Sequence, residues 1–280
     1  LKAAEKIKES DPRDLALRVA ADRLAAAGNA DAASKVSAEL RDPVMRLLAT
    51  MPLVTASSFE QKIDEVKKAP AINKPMLAEV LTLCCGKRGL IEQAVHAAAE
   101  TDAGWPRMRA LCGAAKHVKL PPTSKLIDAA EHELAQTVNA GWHCHARVEM
   151  ALSAHRAGDA SLAAKQLGGA CDEALRLTVP EDTAFALPKV IEAALIMQNQ
   201  ALALKTLTEA LKRDLDVPLR ETLVPMLVDA GAADAVLSEC AKKPLKNDFP
   251  KRMVAYRLAK AGRIADALKF VSEENYRVKA

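Results

Sequence analysis

The stretch Leu258-Ala259-Lys260-Ala261-Gly262-Arg263-Ile264-Ala265-Asp266-Ala267-Leu268 predicts a helix that ends at a glycine, followed directly by a second helix. Glycine can adopt the left-handed backbone conformation that ends many helices, because it has no Cβ atom to clash. Ala267 follows Gly262 by five residues, and a small residue at this position lets the second helix cross close to the first. The stretch therefore predicts a helical hairpin.

The same pattern recurs along the chain at intervals that are multiples of roughly 30 to 37 residues, a period typical of helical-repeat arrays. A single hairpin cannot bury its apolar face, so such hairpins must stack on one another. We therefore expect an all-α fold, a right-handed α-solenoid of about eight stacked antiparallel helical hairpins. It would form one domain over residues 1–280, either as a whole protein or as a fragment of a longer one. The recurring pairs are Gly28 with Ala33, Gly89 with Ala94, Gly158 with Ala163 and Gly231 with Val236, and Asn199 marks a further turn.

Apolar spacing and turn residues predict a series of helix pairs and no strand. The pairs are Pro12–Ala27 with Ala32–Leu40, Met76–Cys85 with Leu90–Glu100, Trp142–Ala157 with Ser161–Leu177, Ala184–Gln198 with Ala201–Arg213, Leu219–Ala230 with Ala233–Lys242, and Phe249–Ala261 with Ile264–Val271. Further helices are predicted over Phe59–Lys68, Pro106–Val118 and Ser124–Val138.

The composition agrees with helices that approach one another closely. Aromatic residues make up only 3% of the chain, whereas hydrophobic residues make up 50% and charged residues 27%. Strands favour aromatic and β-branched side chains, while alanine and leucine favour helices. The charged fraction and the apolar fraction together exclude global disorder.

Two segments carry a resemblance to a known family. Leu24-Ala25-Ala26-Ala27-Gly28 through Ala33, and Leu258 through Leu268, resemble the middle of a tetratricopeptide repeat, where the first helix of a unit ends and the second begins. The last unit, which includes Tyr256, is also similar to a pentatricopeptide repeat. Either resemblance implies a superhelix whose first helices line a concave binding surface.

Basic residues on the predicted first helices are the candidates for contacting a partner. The net charge of +4 is mildly basic and lacks the concentrated positive field of a dedicated DNA-binding domain. The inner face of the array could therefore favour an acidic partner. The candidate partner-binding residues are Arg109, Arg147, Lys189, Arg220 and Arg257.

The densest group of chemically capable residues is Trp142-His143-Cys144-His145. Imidazole and thiolate are ligands for transition metals. On a helix, however, residues two apart point about 200° from each other, so His143 and His145 cannot face one ion. We expect Trp142 to pack in a groove, the histidines to lie at the surface or cap the helix, and no metal or other cofactor to bind.

The six cysteines show no two-residue spacing typical of a zinc or redox motif. Cys84 and Cys85 are adjacent, and adjacent cysteines on a helix diverge by about 100°. Buried free thiols are the expected state, which indicates the cytoplasm or another reducing compartment. The sequence shows neither a long apolar run nor a signal peptide, so no membrane partner is expected.

Three functions fit these observations. The first is a non-catalytic scaffold that binds a protein or peptide, since no catalytic motif is visible. The second is an RNA-binding array, but the residues nine before the turn glycines, Val19, Glu149 and Met253, do not form a base-reading code. The third is a helical domain of a larger enzyme. The oligomeric state is not predicted.

Overall fold

The computed structural model describes residues 10–118, 123–135 and 139–271. Within these ranges the regular structure consists of α-helices and one 3₁₀-helix at Met51–Leu53, and it includes no strand. The prediction of an all-α fold is confirmed. The helices of the first part are α1 Ser10–Ala26, α2 Ala30–Ala38, α3 Pro43–Thr50, α4 Phe59–Lys68, α5 Lys74–Lys87, α6 Ile91–Ala98, α7 Trp105–Ala115 and α8 Thr123–Leu134.

The second part continues the same alternation of helix and turn. Its helices are α9 Ala140–Ala157, α10 Ala160–Arg176, α11 Pro180–Ile196, α12 Gln200–Leu211, α13 Val217–Leu223, α14 Met226–Asp229, α15 Ala233–Lys242, α16 Asp248–Lys260 and α17 Ile264–Leu268. The helix predicted over Leu219–Ala230 is interrupted before Met226, because Pro225 lacks the N–H group that would continue it. The predicted end of another helix at Val138 lies outside the described residues.

The turn glycines adopt the conformation that the sequence predicts. Gly28, Gly89, Gly158, Gly231 and Gly262 all have φ between 70° and 90°, in the left-handed region. In each turn the residue after the glycine donates its N–H to a carbonyl of the last turn of the preceding helix, for example Arg263 to Leu258 at 2.8 Å. The predicted turn near Asn199 also exists, but Gln198 takes the left-handed conformation, with φ 57°.

Asn199 lies in this turn, as predicted, and it also begins the next helix. Its side chain accepts the N–H of Leu202 at 3.1 Å and thereby caps the start of α12. Counting five residues from Gln198 reaches Ala203, which is fully buried. The residues at this offset in the other turns are buried as well, as the prediction of a close helix crossing requires: Ala33, Ala94, Ala163, Val236 and Ala267.

Helix α3 is not predicted by the sequence pattern. It is capped by Asp42, whose Oδ1 accepts the N–H groups of Val44 and Met45 at 2.7 and 3.3 Å. Pro43 supplies the favourable first helical residue, and Pro52 follows closely after the end of the helix. Such a short helix contains too few turns to produce a clear periodic pattern.

The helices form two compact units. Unit 1 comprises the described residues of Leu1–Thr137 and Ser153–Ala160, and unit 2 those of Val138–Leu152 and Ser161–Ala280. The prediction of a single repeat domain over residues 1–280, and the number of its hairpins, remain predictions.

Unit 1 contains a close backbone crossing between α5 and α7. Gly86 on α5 lies so near α7 that a Cβ atom at this position would be 2.7 Å from the backbone of Ala114. Gly113, one residue earlier on α7, has space, since the nearest atom to its Cβ position is 3.9 Å away. The hairpins α1–α2, α5–α6 and α7–α8 complete the packing of this unit.

Unit 2 has a large core built mainly from alanine, leucine and valine. Its hairpins are α11–α12, α14–α15 and α16–α17. A buried carboxylate fixes the loop before α16: Glu221 on α13 accepts the backbone N–H groups of Lys246 and Asn247 and the side-chain amide of Asn247. No described helix of either unit has the length and apolar character needed to cross a membrane.

Candidate functional site

The residues that the sequence singles out around Trp142 come together with residues of α10 and α11 in unit 2. The side chain of Asn139 accepts the N–H of Trp142 at 2.8 Å and so caps the start of α9. Of the two positions left open for the histidines, the surface or the cap, the cap is taken by this asparagine, and His143 and His145 are half-buried. We call the group of Trp142, His145, Phe185 and Lys189 the aromatic site.

The aromatic site contains three rings in mutual contact. The ring of Phe185 lies 5.2 Å from that of Trp142 and 5.4 Å from that of His145, and the Trp142 and His145 rings are 6.0 Å apart. The Nζ atom of Lys189 lies 5.2 Å from the centre of the Phe185 ring. Residues three or four apart share a face of a helix, which explains why Trp142 and His145 on α9, and Phe185 and Lys189 on α11, project together.

Trp142 is 40% exposed, although it was predicted to pack in a groove. Its ring contacts those of Phe185 and His145, and part of its surface is accessible to solvent. Large aromatic side chains with a partly accessible surface are enriched at protein interfaces, since they supply much contact area at little cost in conformational entropy. The site can thus bury an apolar group of a partner against Trp142.

A polar network lies next to the aromatic site. Glu173 on α10 accepts a hydrogen bond from Arg147 Nε at 2.8 Å and contacts His143 Nδ1 at 2.8 Å. Arg147 also donates through Nη1 to Gln166 Oε1 at 2.9 Å. The stem of Arg147 lies over Gly169, whose absent side chain leaves room for it. Of the Gly168-Gly169 pair, only Gly169 makes room for this side chain, since no atom lies within 4 Å of the Cβ position of Gly168.

The two histidines of α9 face different neighbours, as their spacing predicts. His143 contacts Glu173, whereas His145 contacts the rings of Trp142 and Phe185. Over the ranges that the structure describes, no group of three or more His, Cys, Asp or Glu side chains is placed to hold a metal ion.

The thiol beside this network is poorly suited to nucleophilic chemistry. Cys144 is buried, and its Sγ atom is 3.9 Å from Glu173 Oε2. Burial, and after it the negative charge of Glu173, raise the pKa of the Cys144 thiol to about 12. Burial likewise raises the pKa of Cys84 to about 11 and that of Cys85 to about 12. Such thiols stay protonated near neutral pH, and the protonated thiol is a weak nucleophile.

Of the five basic residues proposed to contact a partner, the structure brings two into this region, Arg147 and Lys189. The other three lie elsewhere, and each forms an ion pair: Arg109 with Glu79 at 2.5 Å, Arg220 with Glu239 at 3.8 Å and Arg257 with Asp229 at 2.8 Å.

These ion pairs reduce the positive charge that was expected at the candidate residues. The side chain of Arg220 is only 9% exposed, and it also donates to the backbone carbonyl of Glu239 at 2.8 Å. Arg147 is bound to Glu173, so Lys189 is the one among the five without a carboxylate partner in the ion pairs of the described residues. A broadly basic surface, as the sequence suggested, is thus largely neutralised at these positions by neighbouring acids.

Sequence reasoning did not foresee the contribution of Phe185. It is separated from Trp142 by 43 positions, and only the packing of α11 beside α9 brings the two rings together. The available signal was the scarcity of aromatic residues: with four Phe and two Trp in the chain, two that fall on predicted first helices of neighbouring pairs are candidates for one site.

No protein-family model matches the chain, and no curated protein matches it either.

Proposed function

We propose that this chain is a non-catalytic protein-binding scaffold, which binds a segment of a partner protein at the aromatic site. We further propose that its hairpins stack into a right-handed α-solenoid of about eight units, similar to tetratricopeptide repeats. The observation that carries the proposal is the half-exposed cluster of Trp142, His145 and Phe185 beside Lys189.

The chemistry of the cluster favours a protein ligand. Binding energy at protein interfaces is concentrated at a few residues, among which tryptophan is enriched together with tyrosine and arginine. Trp142 offers an accessible apolar surface, and Lys189 offers a positive charge over the neighbouring Phe185 ring. A segment with an apolar side chain next to an acidic residue would use both.

The polar network prepares the site for binding. Glu173 joins Arg147 and His143, so α9 is fixed to α10 before any partner arrives. A surface that is already ordered loses less conformational entropy on binding. We therefore assign Arg147 the role of positioning α9, and Lys189 the role of contacting the partner.

The thiols support a binding role and a reducing environment. All six cysteines are free, and five of them are buried, among them Cys84, Cys85, Cys144 and Cys171, whose pKa values burial raises above the ordinary value. We propose the cytoplasm or another reducing compartment as the location.

The first test compares site and control variants in affinity capture from native lysate. The site variant combines Trp142→Ala with Lys189→Glu. The control combines Phe249→Ala with Lys205→Glu, which alters an exposed aromatic and an exposed lysine of the same unit. Captured proteins are identified by mass spectrometry with and without ribonuclease treatment.

A partner that survives ribonuclease, is retained by the control and is lost from the site variant would support the proposal. Its dissociation constant, measured with purified components, should rise about 30-fold or more in the site variant. Equal capture by both variants would reject the aromatic site. Loss of all partners after ribonuclease treatment would favour the alternative, an RNA-binding array.

A further inference from the structure

A second surface lies in unit 1, far along the chain from the aromatic site. It is an open groove of about 650 Å³ between α2 and α4, with α3 and the start of α5 along its floor. Helix α2 packs against α1 and α3, while α4 packs against α5. The short α3 does not fill the space between them, and the groove is the result.

The floor of the groove is apolar. It is formed by Val44, Leu47 and Leu77, with Ala38 and Ala69 on the sides. Leu47 is 7% exposed and Leu77 is fully buried, so the floor is the outer boundary of the core. An apolar side chain that enters the groove would contact packed atoms on several sides and lose its contact with water.

The edges of the groove are mainly cationic. Arg46, Lys62 and Lys68 line it, together with one carboxylate, Glu65. That carboxylate is already engaged, since it accepts Lys62 Nζ at 3.1 Å and Gln61 Nε2 at 3.0 Å.

Two of the cations are held in position. Arg46 donates from Nε and Nη2 to the carbonyl of Leu40, at 3.1 and 2.5 Å. Lys62 also donates to Thr50 Oγ1 at 2.9 Å. Lys68 is exposed on the last turn of α4. Lys62 is paired with Glu65, so Arg46 and Lys68 supply the excess positive charge beside the apolar floor.

We propose that this groove binds an extended acidic segment of a partner protein that inserts an aliphatic side chain. Charge complementarity selects the occupant: carboxylates of the segment pair with Lys68 and Arg46, while a leucine, isoleucine or valine lies against Leu47 and Val44. Helix α2 has nine residues and is about 13 Å long. That length accommodates about four residues of extended chain at about 3.3 Å per residue.

The test selects ligands from a random library, so that the partner need not be identified first. A phage-displayed library of random heptapeptides is panned on the immobilised full chain, and the enriched peptides are made with a fluorescein label. Their binding is measured by fluorescence anisotropy to the wild type and to four variants. Circular dichroism verifies that each variant is folded.

The variants separate the groove from its surroundings. Lys68→Glu reverses a charge in the groove, and Ser34→Trp fills it from an exposed position on α2. Lys35→Glu is the matched control, since it makes the same substitution at an exposed position of α2 that does not line the groove. Trp142→Ala reports binding at the aromatic site.

The enriched peptides should contain Asp or Glu beside an aliphatic residue. Lys68→Glu should weaken their binding about tenfold, Ser34→Trp should abolish it, and Lys35→Glu should change it by less than about twofold. Peptides without this pattern, or with equal affinity for Lys68→Glu and the wild type, would overturn the proposal. Peptides that lose affinity only with Trp142→Ala would also overturn it, while they would support the aromatic site. Self-association of the chain that Ser34→Trp removes would assign the groove to a second copy and reject the acidic peptide.

Discussion

Each unit has a glycine on one helix that lies against a neighbouring helix, but the atoms that the two glycines face are different. At the crossing of α5 and α7 in unit 1, the space above Gly86 is occupied by the backbone of Ala114. At the contact of α9 and α10 in unit 2, the space above Gly169 is occupied by the side chain of Arg147. A backbone cannot move without shifting its whole helix, whereas a long side chain can rotate. The close approach at Gly86 is therefore between two backbones and cannot be relieved locally, whereas the one at Gly169 is with a side chain that can adjust while its hydrogen bonds still hold α9 to α10.

The largest expected effect is that of Gly86→Ala. The new Cβ atom would be 2.7 Å from Ala114, so α5 and α7 must separate, at a cost of about 3 kcal/mol in the free energy of unfolding. Gly113→Ala is the control, because its Cβ position has no atom closer than 3.9 Å; it should stabilise the chain by up to about 1 kcal/mol. Urea denaturation followed by circular dichroism measures both, and equal stabilities of the two variants would show that the crossing is not rigid.

The next effect concerns a feature that both units share. Buried carboxylates bind backbone N–H groups of a loop in each unit: Asp14 binds those of Arg41 and Asp42, and Glu221 binds those of Lys246 and Asn247. Asp14→Asn and Glu221→Gln should each lower the free energy of unfolding by about 2 kcal/mol. The amide oxygen can still accept the backbone N–H groups, but the charge that strengthens these hydrogen bonds is lost, and an NH₂ group replaces the second acceptor oxygen. The same change at the exposed Glu192, Glu192→Gln, should have little effect. If only one of the two variants lost about 2 kcal/mol of unfolding free energy, the carboxylate of the other unit would not stabilise its loop.

The hydrogen bonds that Glu221 accepts from the loop before α16 should make the stability of the fold depend on pH. Burial raises the pKa of this carboxyl, but the hydrogen bonds from Lys246 and Asn247 outweigh burial and hold the pKa below its ordinary value. A lowered pKa in the folded state means that the ionised carboxylate stabilises the fold above the ordinary pKa of glutamate, and that this stabilisation is lost as the pH falls through the folded value. The difference in unfolding free energy between wild type and Glu221→Gln should therefore shrink from pH 7 towards pH 3. A constant difference over that range would mean that the charge of Glu221 does not contribute.

A smaller effect is expected at Gly169. In Gly169→Ala the new Cβ atom would be 3.3 Å from Arg147 Cδ, a contact that a small rotation of Arg147 relieves. Alanine also favours the helix, so the free energy of unfolding should stay within about 1 kcal/mol of the wild type. A loss as large as that of Gly86→Ala would contradict the comparison between the two crossings.

The smallest effect is expected at the turn between α11 and α12, where Gln198 occupies the position that glycine holds in the other turns of this type. Its φ of 57° is unfavourable for a residue with a Cβ atom. Gln198→Gly should therefore raise the free energy of unfolding by about 0.5 to 1 kcal/mol. Unit 1 already has glycine at the equivalent position, Gly89. In thermal denaturation, Gln198→Gly should raise the melting temperature, whereas Gly89→Ala should lower it. A destabilised Gln198→Gly would mean that the glutamine side chain stabilises this turn.

The sequence predicts the parts of the fold that depend on neighbouring residues. Turn glycines such as Gly28 and Gly262, and the buried alanines five positions later, are determined by local backbone geometry. Helix α3 escapes prediction because its stability comes from the Asp42 cap and from packing, and its eight residues give little periodicity.

The candidate site is predictable only in part, because it depends on contacts between distant segments. The divergence of His143 and His145 follows from helical geometry, and the structure agrees. The ion pair of Arg147 with Glu173, by contrast, joins two helices. A basic residue on a predicted helix face therefore reveals nothing about the acid that will neutralise it. Charge counted along a sequence overestimates charge on a surface for this reason.

The burial of the cysteines has a kinetic consequence. Cys84 and Cys85 in unit 1, and Cys144 and Cys171 in unit 2, can meet a thiol reagent only after a helix opens. Cys240 is the half-buried one and should be modified first. The rates at which the other thiols react would then report how often each helix opens in the native protein, so the chain carries internal probes of local opening in both of its units.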